Sequence, residues 1–238
     1  MSIQMRFCGL AALAVSGLLA SSASAALLAN GDVEVNDQPA ANIITNWSFV
    51  HGGTPPAETA AAYGVQPGNA KAPAHGGISK AFIWNANADS YIYQKASSVI
   101  EAGTTYTLSL WAADTDNFVD QWPGTPQTQA EWAIVKFIGG TPDLNTVYAT
   151  SGVIATDAAY TNYNVSYTSP ATGGSVGDDF GVVLFKRSSN FTGTTPNWWD
   201  DKYSQPLMDD VSLTSVPEPA SLGLLSLGCL AMLRRRRA

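Results

Sequence analysis

The clearest periodicity in this chain repeats every second residue. After a Glu101-Ala102-Gly103 turn, Tyr106, Leu108 and Leu110 fall on one face while Thr105, Thr107, Ser109 and Trp111 fall on the other. That pattern predicts a half-buried antiparallel strand running on to Ala113. Further strands are expected at Leu27–Val35, Ser48–Val50, Lys80–Trp84, Ser90–Gln94, Trp132–Ile138, Thr146–Tyr148, Thr161–Thr168, Phe180–Lys186 and Leu207–Thr214. Trp132–Ile138 and Phe180–Phe185 are apolar on both faces, as strands central to a sandwich should be. No window of a dozen residues between 26 and 215 carries a 3.6-residue apolar stripe. The expectation is an all-β fold, a two-sheet antiparallel β-sandwich. Residues 51–78 fit no element and read as long loops.

The two ends break the pattern. Arg6 supplies a positive start, Phe7–Leu19 an apolar run, and Ala23-Ser24-Ala25 a small-residue cleavage site, the arrangement of a cleaved signal helix. The mature chain then starts near Ala26. At the other end Val216-Pro217-Glu218-Pro219 precedes 14 uncharged residues, Ala220–Leu233, and then Arg234, Arg235, Arg236 and Arg237. As a helix those residues reach about 21 Å, short of the roughly 30 Å hydrocarbon core, with the arginines on the cytoplasmic side. Such a short hydrophobic helix suits a temporary hold better than a permanent anchor. The chain therefore divides into a signal peptide (1–25), a β-domain (26–215) and a tail (216–238).

The order of parts in the tail resembles the PEP-CTERM sorting signal of Gram-negative bacteria. Pro217, Glu218 and Pro219 match its motif, and Arg234–Arg237 its basic end. The resemblance implies signal peptidase and an exosortase as processing enzymes, with cutting near the Pro-Glu-Pro. It also implies an inner-membrane intermediate held by the C-terminal helix, followed by delivery to the cell surface or extracellular matrix.

Charge changes the picture once the ends are set aside. Residues 26–215 carry seven basic and eighteen acidic side chains, a net charge of −11. This argues against nucleic acid or anionic lipid as partners and for solubility outside the cell or divalent-cation binding. The two cysteines, Cys8 and Cys229, both lie in the excluded ends, so the exported domain has no intramolecular disulfide.

Three stretches resemble the jelly-roll carbohydrate-binding modules, the galactose-binding-like sandwiches. Leu28-Ala29-Asn30-Gly31-Asp32-Val33-Glu34 is similar to the family's opening Leu-x-Asn-Gly-x-Phe-Glu, with Val33 in place of Phe. Ala102-Gly103-Thr104-Thr105-Tyr106-Thr107-Leu108-Ser109 resembles its central hairpin, and Asp209-Asp210-Val211-Ser212-Leu213 its closing strand. In such jelly rolls calcium commonly ties the first and last strands together. The resemblance thus implies a structural Ca²⁺ held by Glu34 and Asp209, whose hard oxygens suit that ion. Asp32 and Asp210 are weaker candidates, because neighbouring side chains alternate along a strand. An Asp114, Asp116, Asn117, Asp120 cluster begins like a calcium loop but has Thr125 where an EF-hand needs glutamate, and it reads as a solvated loop.

The chain holds seven tryptophans. Trp84, Trp111 and Trp132 fall in expected strands and read as core or sheet-face residues. Trp122, Trp198 and Trp199 fall in loops, the last two beside Asp200 and Tyr203. Aromatic planes next to carboxylates are what a pyranose ring needs, since its C–H face stacks while its hydroxyls hydrogen-bond. A loop that buries these side chains is the plainer alternative. His51 and His75, each beside Gly-Gly, read as incidental, and no nucleophile-elbow or zinc-protease motif is present. The expectation is therefore a non-enzymatic surface or matrix protein that binds extracellular polysaccharide. The alternatives are a structural protein making protein contacts and, third, a small glycan hydrolase or lyase.

Overall fold

A computed structural model describes residues 25–34, 44–50, 63–67, 74–77, 79–83, 90–114, 129–156, 159–187 and 206–218. These contain only strands, turns and bends. In chain order the strands are β1 (Ala25–Ala26), β2 (Ser48–Val50), β3 (Tyr63–Pro67), β4 (Ser79–Ile83), β5 (Ser90–Val99), β6 (Thr104–Asp114), β7 (Gln129–Ile138), β8 (Thr141–Thr150), β9 (Ile154–Ala155), β10 (Thr161–Thr168), β11 (Asp179–Arg187) and β12 (Pro206–Pro217). They form two six-stranded antiparallel sheets. One runs β10-β6-β12-β4-β3 with β1 beside β12, and the other runs β2-β5-β11-β7-β8 with β9 beside β7.

Alternation builds the core. Tyr106, Leu108, Leu110 and Ala112 of β6 point inward, where they meet Met208, Val211 and Leu213 of β12 and Trp132, Ile134, Phe180, Val182 and Leu184 of the facing sheet. The Tyr106 ring meets Phe180 edge-on at 4.7 Å, a favourable aromatic geometry. The intervening β6 residues face outward, where Thr105 hydrogen-bonds Thr168 and Thr107 hydrogen-bonds Ser166 across to β10. The strands expected to be apolar on both faces are so for a reason. Val183 and Phe185 of β11 and Val135 and Phe137 of β7 bury their outward faces in a second cluster with Tyr91, joined by Val50 and Tyr93.

The structure departs from the sequence pattern in five places. Leu27–Val35 is not a continuous strand: only Ala25–Ala26 is ladder-paired, and the chain then turns, with left-handed Asn30 (φ 51°) and Val33 (φ 50°). The turn is fixed by neighbours, because Asn30 O accepts the Trp47 indole N–H at 3.2 Å while Gly31 O accepts the Val211 N–H at 2.8 Å. Tyr63–Pro67, expected in a loop, is an edge strand on β4. β8 is ten residues long rather than three, and β5 reaches Val99 rather than stopping at Gln94. Finally, β12 runs past the expected domain boundary into Val216 and Pro217, paired with Thr105 and Thr104. The signal and tail helices lie outside the described residues.

Both ends of the described chain meet. Ala25 pairs with Ser215 and Ala26 with Thr214, so chain entry and exit share one end of the sandwich. Pro206 pairs with Asp114 and Arg187 with Gln129 at the opposite end, between which the connections 115–128 and 188–205 begin and finish.

Candidate functional site

At that opposite end β12 carries a bulge. Its pairing with β6 shifts between Asp209 and Ser212, and Asp210 adopts a left-handed conformation (φ 48°). A bulge re-aims side chains. Here it lets two consecutive carboxylates address one loop, residues 74–79, which plain alternation would forbid.

Asp209 is fully buried. Its Oδ2 accepts the His75 N–H at 2.8 Å and the Gly76 N–H at 3.1 Å, and its Oδ1 accepts the Asp210 N–H at 2.8 Å. Burial pushes its carboxyl up to about 6, the charge of Asp210 adding to the effect and the three amides opposing it. Lys80, also fully buried, lies within electrostatic reach; burial lowers its ammonium pKa while Asp209 opposes the shift.

Asp210 Oδ2 lies 2.8 Å from His75 Nδ1. The His75 ring stacks on Trp111, with centroids 3.9 Å apart and planes 14° apart, and Tyr160 leans against the same imidazole at 5.5 Å. Tyr160 packs on Phe82, Ala113 and Leu207, and among the described residues its buried hydroxyl has no hydrogen-bond partner. Burial, then Asp209 and Asp210, raises the Tyr160 phenol pKa, so this group stays protonated. On the other side of the loop Glu34 Oε1 accepts the Ser79 N–H at 3.0 Å. Gly77 (φ +54°) sits so close that a Cβ there would overlap the Glu34 carboxylate, and a Cβ on Gly76 would come within 2.8 Å of both Asp210 oxygens. The Gly-Gly pair is thus what allows two carboxylates to close on the loop.

The structure brings three sequence candidates, Glu34, Asp209 and Asp210, to the 74–79 loop and leaves Asp32 exposed. Trp122, Trp198, Trp199, Asp200 and Tyr203 lie outside the described residues, as do Trp84, His51, Pro219 and Arg234–Arg237. Trp132 is core, and Trp111 is on the outward face of its sheet. His75 is not incidental, since it takes part in a stack and a carboxylate contact. Its sequence signal was weak because its partners lie far away in the chain, at 111, 160 and 209–210. The one available clue was Trp111, an aromatic that follows Thr105, Thr107 and Ser109 on the outward face of β6.

Hard carboxylate oxygens on either side of a loop are the right donors for calcium, with backbone carbonyls and water completing its six to eight ligands. In kind, then, Glu34 and Asp209 fit a structural cation. Among the described residues no three His, Cys, Asp or Glu side chains gather to hold a metal, so carboxylates alone do not make the site.

Residues 215–237 match the PEP-CTERM protein-sorting motif. The chain is therefore an exported protein with a membrane-held intermediate, and the motif implies processing by an exosortase. No curated protein matches the chain. Among solved structures, a cyclase from Fischerella sp. TAU superposes with a TM-score of 0.60 at 16% identity, covering 82% of this chain and 98% of the cyclase. At that identity the likeness is one of fold. A family 4 carbohydrate-binding module gives 0.43 at 15% identity over 79% of this chain and 99% of its own. A putative sugar-binding protein from Bacteroides thetaiotaomicron VPI-5482 gives 0.41 at 14% identity, over 70% and 86%.

Proposed function

We propose that this is a surface or matrix protein that binds extracellular polysaccharide without catalysis, through the end of the sandwich that carries Trp111, His75 and Asp210. The observation that carries the reading is the Trp111–His75 stack, with Asp210 2.8 Å from the imidazole. An accessible ring beside a carboxylate offers a sugar its stacking plane and a hydroxyl acceptor. The connections bearing Trp122, Trp198, Trp199, Asp200 and Tyr203 start and finish at the same end, and we assign them to the same site. Chain entry and exit at the far end support the reading too. From Asp209 to Pro217 β12 spans roughly 26 Å at about 3.3 Å per residue, so a membrane-held precursor points its binding end outward.

Affinity electrophoresis of the secreted protein in gels containing the host's own exopolysaccharide tests this. Retardation that is lost in Trp198→Ala/Trp199→Ala and in His75→Ala supports it; migration equal to that in plain gels overturns it. Release of reducing sugar by the wild type would place the domain among glycan-active enzymes instead.

A calcium ion between Glu34 and Asp209 belongs to the same proposal as a structural clasp, joining the opening turn to β12 where no disulfide exists. One observation favours the rival reading of a matrix protein working by protein contact. The edge strand β8 exposes the apolar side chains Leu144 and Val147, and exposed apolar groups on a strand edge are what a protein partner can cover.

A further inference from the structure

The sorting motif does not begin on a free linker. Val216 pairs with Thr105 and Pro217 with Thr104, and the Glu218 N–H donates to Gly103 O at 2.7 Å, so the first residues of the motif form the last rungs of the β6–β12 ladder. Proline fits there because its missing N–H falls at the end of the strand, at a pair whose neighbour Glu218 makes the next rung. The receiving turn is itself fixed. Gly103 N–H bonds Pro170 O at 3.1 Å, and Thr104 N–H bonds the Ser169 hydroxyl at 3.0 Å, both Thr104 and Ser169 being buried. The side chains tell a different story, since Val216, Pro217 and Glu218 are all exposed. A partner can therefore read these side chains while the backbone is still occupied.

A protease that binds its substrate as an extended strand needs those same backbone groups. We propose that the folded sandwich holds the sorting motif closed to its processing protease: Val216–Glu218 must peel from β6 before the chain is cut. Processing then proceeds only through the fraction of molecules in which the strand end has opened, a local unfolding separate from global stability. Each rung of ordinary strength holds the strand end closed by roughly fivefold, so releasing two or three of them raises the open population by roughly thirty- to a hundredfold or more. The sorting step would be paced by the fold of its own passenger.

The test uses the full-length chain in a Gram-negative host carrying the sorting protease, in a Cys229→Ser background, with precursor and processed forms followed by pulse–chase. Val216→Cys with Thr105→Cys joins directly opposed positions of an antiparallel pair, a spacing within disulfide range. The proposal expects the precursor of this variant to persist, its conversion at least tenfold slower, and added reductant to restore the wild-type rate. A Gly-Ser-Gly-Ser insertion between Ser215 and Val216, which frees the motif without touching the core, should convert about tenfold faster. A cross-linked chain processed at the wild-type rate, or an insertion that leaves the rate unchanged, would overturn the proposal.

Discussion

The imidazole of His75 lies 3.9 Å from the indole of Trp111 with the two planes 14° apart. The backbone N–H of the same histidine holds Asp209, so one residue ties the 74–79 loop to β12 by its main chain and to β6 by its ring. His75→Ala keeps the main-chain tie and removes the ring's two contacts, the stack on Trp111 and the 2.8 Å approach to Asp210. An aromatic pair of this kind contributes about 0.5–1.5 kcal/mol beyond its buried area. The variant should lose stability in that range by urea denaturation, while its Trp111 fluorescence becomes accessible to an added quencher.

Replacing Asp209 has a larger effect. Asp209→Ala strands three amide donors and leaves Lys80, buried nearby, without the nearby negative charge that opposes its desolvation. Removing one partner from a buried charged set costs roughly 3–5 kcal/mol. Asp209→Asn, which keeps an acceptor oxygen, should lose less, and equal losses in the two variants would show that the carboxylate charge is unimportant.

Two glycines with similar backbones separate strain from crowding. Gly139 (φ +60°) has no atom within 4 Å of a built Cβ, whereas Gly77 (φ +54°) has the Glu34 carboxylate there. Gly139→Ala should cost about 1 kcal/mol, the left-handed penalty alone. Gly77→Ala should cost more, with the difference reduced in a Glu34→Ala background, as thermal melts of the single and double variants will report.

Acid weakens a second cluster. Asp178 accepts hydrogen bonds from Lys136 at 2.8 Å and from Tyr148 at 2.7 Å, and these hold its carboxyl below the usual carboxylate value. A depressed carboxylate adds stability that is fully present above its unfolded pKa, about 3.9, and is lost as pH falls through the lower folded value. Wild type should therefore exceed Asp178→Asn in stability at pH 6, and the gap should shrink as pH falls below the unfolded carboxylate value. A gap that stays constant down to pH 2 would contradict this assignment.

Calcium makes its own prediction. A site filled to 100 times its dissociation constant stabilises by about 2.7 kcal/mol, which for a domain of this size raises Tm by roughly 5–10 °C. Chelator should lower the melting temperature of the wild type by that amount and leave Glu34→Ala unaffected. An unchanged wild-type melt would remove the cation from the account.

The sequence pattern is most reliable where one force dominates. From Thr105 to Ala112 of β6 each inward position is apolar and each outward one polar except Trp111, and in β11 burial on both faces leaves no alternation to misread. It fails where tertiary contacts override local preference. Leu27–Val35 looks like a strand, yet Asn30 and Val33 turn left-handed because Trp47 and Val211 hold the backbone there. Tyr63–Pro67 contains glycine and proline, and it becomes a strand only because β4 offers an edge. The acids were legible as a pair of candidates. Their joint address was not, because the bulge that places Asp210 beside Asp209 leaves no mark in the spacing.

Isothermal titration of the secreted protein with purified host exopolysaccharide fragments, wild type against Trp111→Ala, tests the central claim most directly. The account predicts saturable heat for the wild type and an affinity at least tenfold weaker for the variant, with both proteins folded at the titration temperature and melting cooperatively, the variant at the lower temperature that loss of the stack implies. Equal affinities, or no binding heat from the folded wild type, would contradict it.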